Sequence, residues 1–138
     1  MADLAVTAAN VLKSSNGTIA VLTAATAITR GQYIYTLAAG TAGLADSNGT
    51  TPANSVTGIA LADVATGQPV PYVPTDTALT TGFTASAAGV VIYLSSDTAG
   101  AATETYADLD SGSTVIVLGS MLTTTTMKFS PLVGGVKP

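Results

Sequence analysis

Four times along this chain a glycine set in a turn is followed at once by an apolar run. The runs are RGQYIYTL from Arg30, TGQPVPYV from Thr66, AGVVIYLS from Ala88 and SGSTVIVLG from Ser111. Glycine turns a chain where a side chain would clash, and each run behind it is too short for a stable helix but rich in the β-branched and aromatic residues that suit a strand. Gln32 and Gln68, next to two of these glycines, are placed to bond nearby backbone before their strands begin. The glycines Gly31, Gly67, Gly89 and Gly112 are too unevenly spaced for a solenoid.

The same punctuation extends along the chain. Asn16-Gly17 and Asn48-Gly49 are tight-turn signals. Strands are expected over 18–23, 32–38, 56–62, 69–73, 78–84, 90–95, 114–120 and 122–129. Short strands at this spacing predict an all-β fold, a compact sandwich or small barrel of about eight short strands. Pro69 and Pro71 donate no ladder hydrogen bond, which predicts that their strand lies at an edge or pairs on one side only.

Two stretches do not fit the strand pattern. In residues 3–12 the side chains Leu4, Val11 and Leu12 fall at helical spacing, but Val6, Thr7 and Val11 lower the helix propensity of so short a segment. An extended N-terminal arm over residues 1–17 is expected there, ahead of a β-rich domain over 18–138. Residues 101–109 sit in a Thr-, Ala- and Gly-rich connection and read as a loop with at most one helical turn. A length of 138 residues suits one domain with a real core.

Composition narrows the function classes. There is no His and no Cys, so the commonest acid/base group, the thiolate nucleophile and the commonest metal ligands are all missing. The acidic cluster Glu104, Asp108 and Asp110 reads as a solvated turn before a strand rather than a carboxylate pair for glycoside hydrolysis. Residues 108–112 share alternating oxygens and a glycine with a calcium loop, but the bidentate glutamate such a loop needs is absent. Asn16-Gly17-Thr18 and Asn48-Gly49-Thr50 match the glycosylation triplet, but both read better as turns. Tyr33 and Tyr35 share a strand face, yet aromatic residues are only 5% of the chain, which argues against a sugar platform. No catalytic residue, metal or cofactor is expected.

Only 9% of residues are charged, and Lys13, Arg30, Lys128 and Lys137 are scattered within a net charge of -4, so no nucleic-acid partner is expected. No apolar run approaches the ~20 residues of a membrane span, and MADLAVTAANVLKSS lacks the pattern of a signal peptide. No membrane partner is expected, and synthesis in a cytoplasm without general export is. Sparse charge and many short side chains suit a subunit packed against others.

The order of these features resembles a known family. ITRGQYIYTLAAGTAGLADSNGT, then VTGIALADVATGQPVPYV, then TALTTGFTASAAGVVIYLSSDTAGAATETYADLDSGSTVIVLG, then SMLTTTTMKFSPLVGGV looks like the capsid decoration, or cement, proteins of tailed bacteriophages. The resemblance spans most of the chain and lies in order and spacing rather than in one motif. It implies a β-rich, non-enzymatic homotrimer on the capsid surface of a virion, made in the host bacterial cytoplasm, that bridges subunits of the major capsid protein and stabilises the shell. Similar modules in virion fibres imply the alternative of a fibre or receptor-binding, carbohydrate-binding domain. The family pattern has no motif for the N-terminal arm. From its apolar side chains, Leu4, Val6, Val11 and Leu12 are expected to be its partner contacts, laid along an edge strand of the partner.

Overall fold

The structure, a computed structural model, describes residues 3–49 and 53–138. Its strands are β1 (Val11–Leu12), β2 (Ala20–Ala24), β3 (Tyr33–Thr36), β4 (Thr41–Leu44), β5 (Gly58–Ala60), β6 (Pro69–Val73), β7 (Asp76–Thr81), β8 (Val91–Leu94), β9 (Ala102–Thr103), β10 (Thr114–Met121) and β11 (Thr126–Val136). The only helical pieces among the described residues are the 3-10 turns Ala8–Asn10 and Tyr106–Asp108. The fold is all-β, as the turn spacing predicts. It combines a closed barrel in the order β2-β4-β3-β5-β6 with a six-stranded sheet in the order β1-β7-β11-β10-β8-β9.

The barrel is built around two copies of one turn. Ile28 and Val64 exchange both main-chain hydrogen bonds, at 3.0 and 2.8 Å. On either side of this bridge the bonds repeat with the copies exchanged: Gly31 N–H donates to Ala60 and Gly67 N–H to Ala24, while Ala60 N–H donates to Gln32 and Ala24 N–H to Gln68. Each glutamine side chain also closes its own turn, Gln32 Oε1 accepting from Thr29 N–H and Gln68 Oε1 from Ala65 N–H, both at 2.8 Å. Residues 24–34 and 60–70 are thus related by an approximate two-fold axis through the bridge. The four glycines of the sequence pattern all have positive φ. However, Gly31 and Gly67 form this symmetric pair, whereas Gly89 and Gly112 turn the chain into β8 and β10 of the sheet.

The proline strand departs from its expected place. β6 is an interior barrel strand, paired with β2 from Ala20↔Tyr72 to Thr23↔Pro69 and with β5 at Ile59↔Val73 and Ala60↔Tyr72. Its prolines are tolerated because Val70 and Tyr72 face the long β2 ladder, whereas Pro69 and Pro71 face β5, where pairing ends. Leu61 N–H still donates to the Pro71 carbonyl at 2.9 Å, and with no N–H to return, the ladder stops.

Two apolar clusters follow from the two layers. Ile28, Ile34, Ala42, Ala60, Val70 and Tyr72 fill the barrel. Tyr33, Ile59 and Val73 point the other way and join Phe83 and the sheet residues Leu79, Ile92, Leu94, Ile116, Leu118, Met127 and Phe129 in the main core. Tyr33 and Phe129 meet there with ring centroids 5.8 Å apart. This alternation along β3 is the period of two that a strand between two cores requires.

The N-terminal arm requires correction. Over the described residues 3–17 the segment is bound to the domain: Leu4 N–H donates to Ala102, Thr7 N–H to Gly82, and β1 pairs with β7 at Val11↔Thr81 and Leu12↔Thr80. Val11 is fully buried, and the Arg30 guanidinium donates twice to its carbonyl. Farther along, Asp76, only 3% exposed, accepts from Ser14 N–H at 2.6 Å, from the Ser14 hydroxyl and from Ala78 N–H. An apolar segment beside an open sheet edge gains main-chain bonds and burial at once, and so it packs on its own domain. β4 and β9 also arise where no strand was expected, in Gly- and Ala-rich stretches that pair because neighbouring strands present a free ladder.

Two outcomes test this architecture. Gly67 has open space around a Cβ position, whereas a Cβ on Gly31 would lie 2.9 Å from both Val11 and Val6. Gly67→Ala is therefore expected to lose about 1–2 kcal/mol to positive-φ strain alone, and Gly31→Ala clearly more, as measured by urea unfolding. For Asp76, burial would raise the carboxyl pKa, but the bonds from Ser14 and Ala78 and the nearby Lys13 outweigh it and hold the group below the ordinary value. A lowered native pKa means its stabilisation is complete above about pH 4 and is lost as pH falls through the native value. Asp76→Asn should cost on the order of 1–3 kcal/mol at pH 7, and in melts from pH 7 to 2.5 it should show a smaller loss on the acid side than the parent protein.

Candidate interaction surfaces

The four expected contact residues do not form one patch. Val11 is in the main core and Leu4 is half-buried against it. Val6 lies with Leu4 in a cleft with Arg30, Gln32 and Thr98. Leu12, 53% exposed, lies in a different cleft with Thr7, Thr80, Phe83, Thr84 and Thr125. The 3-10 turn Ala8–Asn10 separates Leu4 and Val6 from Leu12 of β1, so the two parts of the segment line different clefts. Val6 and Leu12 thus remain reachable from solvent, on separate faces.

The polar candidates are occupied in holding loops together. Glu104 accepts from the backbone and hydroxyl of Ser86, at 3.0 and 2.9 Å. Asp110 accepts from the Asn48 amide at 2.8 Å, and the same amide donates to the Ser96 carbonyl. The Ser113 hydroxyl, the third oxygen of the calcium-like pattern, is turned inward onto the Asp110 carbonyl at 2.7 Å. No group of three or more potential metal-ligating side chains occurs among the described residues. Asn16 donates to Thr77 at 3.1 Å and Gly17 is buried, so the first glycosylation triplet is a turn packed on β7. Thr50 of the second lies outside the described residues.

The tyrosines do not make an open platform. Tyr33 and Tyr35 share a face, but it is turned toward the main core. Burial raises the Tyr33 phenol well above its ordinary pKa, which leaves it neutral at physiological pH. Tyr93 and Tyr106 stack edge to face at 5.7 Å, and the Lys137 ammonium sits 5.0 Å over the Tyr106 ring while donating to the carbonyls of Tyr106, Ala107 and Leu109. That ammonium fastens the end of β11 to the 3-10 turn at Tyr106–Asp108.

Exposed apolar side chains gather in two other places. On the barrel, Ile19 and Val21 are exposed at the start of β2, with Val21 opposite Pro71 across the ladder. On the sheet, β11 continues well past 129, where the sequence suggested an end, and pairs with β10 at Val117↔Leu132, Ile116↔Val133 and Thr114↔Val136. In the structure Pro131 falls at a register shift, where no ladder donor is needed, and Gly134 lets the Val115 carbonyl approach to 2.9 Å of a Cβ position. Leu132, Val133 and Val136 are more than half exposed, at 67%, 52% and 65%. The signal that could have found this surface is the run Pro131-Leu132-Val133, apolar and uncharged behind a strand.

No family model matches the chain, and no curated protein or solved structure matches it. Among the described residues no helix is long and apolar enough to cross a membrane.

Leu132 and the buried Leu118 of β10 separate surface from core. Leu132→Ser should change the free energy of unfolding by no more than about 0.5 kcal/mol, whereas Leu118→Ala should cost about 2–5 kcal/mol. Equal losses in chemical denaturation would show that the exposed end of β11 contributes to folding.

Proposed function

We propose that this chain is a non-enzymatic virion structural protein that decorates the outer surface of a tailed-bacteriophage capsid as a homotrimer and stabilises the shell by bridging major capsid protein subunits. The observation that carries the reading is the distribution of exposed apolar side chains over a surface with very little charge. One group lies on the barrel at Ile19 and Val21, another on the sheet at Leu132, Val133 and Val136. A free monomer gains nothing from such groups, whereas a subunit touching neighbours on more than one side buries them. Repetition across a lattice then lets many weak contacts act together, so no single patch needs high affinity. The resemblance of the motif order to that of decoration proteins supports the same reading and is the source of the partner it names. The rival reading as a fibre or receptor-binding domain rests on similar modules in virion fibres; a sugar platform at Tyr33 and Tyr35 lends it no support, because both face the core.

The test is direct. Purified protein is added to undecorated phage capsids and bound copies are located by cryo-electron microscopy. Saturation at symmetry-related outer positions, with a raised capsid melting temperature, is expected; no binding, or binding only to host cells or glycans, overturns the proposal.

A further inference from the structure

β7 covers only part of β11. Their ladder runs through Thr126↔Thr80, Met127↔Leu79 and Phe129↔Asp76, and there β7 begins. From 130 to 136 β11 continues with β10 on one side and no strand of the described residues on the other. No main-chain hydrogen bond from another described segment reaches residues 130–136 from that side. The result is a slot in line with β7, roughly 20 Å long at the rise of an extended chain. Its inner end is a small cleft lined by Asn16, Thr75, Thr77, Lys128 and Ser130.

Two properties define what fits. Leu132 and Val133 are consecutive, so they point to opposite faces, and both are largely exposed. An open edge that is apolar on both faces is what soluble proteins ordinarily blunt with charge, yet no charged residue lies between Lys128 and Lys137. The second property is electrostatic. Lys13, Arg30 and Lys137 all donate to backbone carbonyls, whereas Lys128, at the inner end of the slot, is the one Lys or Arg among the described residues with no hydrogen-bond or ion-pair partner. The nearest carboxylate in the cleft, Asp76, is already held by Ser14 and Ala78. A second copy is a poor occupant. Antiparallel self-pairing of this edge would set the Lys128 end of one copy against the Lys137 end of the other, like charge against like.

We propose that residues 130–136 of β11 form a strand-acceptor site for an extended segment of another polypeptide, apolar at alternate positions and carrying a carboxylate that meets Lys128. The main chain of the segment pairs with the open edge, its apolar side chains cover the apolar residues on one face of that edge, and its carboxylate sets the direction. The inference rests on the capsid reading for the source of that segment, an extended part of the shell protein. The chemistry of the slot does not depend on it.

Two ten-residue peptides of alternating Val and Ser, one ending in Glu and one in Lys, serve as probes against the full-length protein at low salt. The Glu peptide is expected to bind at least tenfold more tightly by fluorescence anisotropy and to slow amide hydrogen exchange within 130–136. Lys128→Glu, an exposed change that leaves the melting temperature in place, should reverse the order of the two peptides. Binding that leaves 130–136 exchanging freely, or a preference unmoved by Lys128→Glu, overturns the site. Slowed exchange with rising protein concentration and no peptide makes the occupant a second copy and overturns it equally. Peptide binding as expected, without capsid binding in the cryo-electron microscopy experiment, retains the slot and overturns the capsid as its source, so the two readings fail separately.

Discussion

The reciprocal hydrogen bonds between Ile28 and Val64 hold the two halves of the barrel to each other, and the rest of the molecule is arranged around them. Strands of three to five residues have little ladder of their own. They persist because each half supplies the other's closing bonds: Gly31 to Ala60 and Gly67 to Ala24, each next to a glutamine that satisfies its own turn. Once the barrel is closed, one set of side chains fills it and the alternate set, Tyr33, Ile59 and Val73, becomes an apolar face that the six-stranded sheet covers. The sheet in turn depends on that face, since its buried residues have no other layer to pack against.

The N-terminal segment completes this arrangement. Its Val11 fills space beside Gly31 and Gly82, two positive-φ glycines where a Cβ would collide with it, and Arg30 of the first turn grips the Val11 carbonyl. The symmetric turn therefore also anchors the segment that precedes it. Main-chain pairing that could serve a partner is used within the same domain, and an open stretch of backbone lies instead at the far end of β11.

That shift bears on function. The polar groups with a superficial likeness to a site, Glu104, Asp110, Asn48 and Lys137, are joined to loop backbone and neighbouring hydroxyls, so they stiffen connections. Large apolar side chains stay exposed on the surface, among them Ile19 and Val21 on the barrel and Leu132, Val133 and Val136 on the sheet. Such a division suits a protein whose work is adhesion between subunits, with geometry set by rigid strands and affinity supplied by repetition.

Several features were legible in the sequence because they depend on local chemistry. Glycine at positive φ, glutamine closing a turn and β-branched runs between turns are choices made within a few residues, and most of the expected strands appear near their expected places. The lack of His and Cys is likewise a property of the sequence alone. Tertiary structure decided whatever depends on which free edge lies nearby. It placed Pro69 and Pro71 inside a barrel because their missing donors face a ladder that ends, it drew Val11 into the core because β7 offered an unpaired edge, and it extended β11 through Pro131 because a register shift with β10 removed the need for a donor. Strand pairing joins residues far apart in the chain, and no local pattern states which partner will be adjacent.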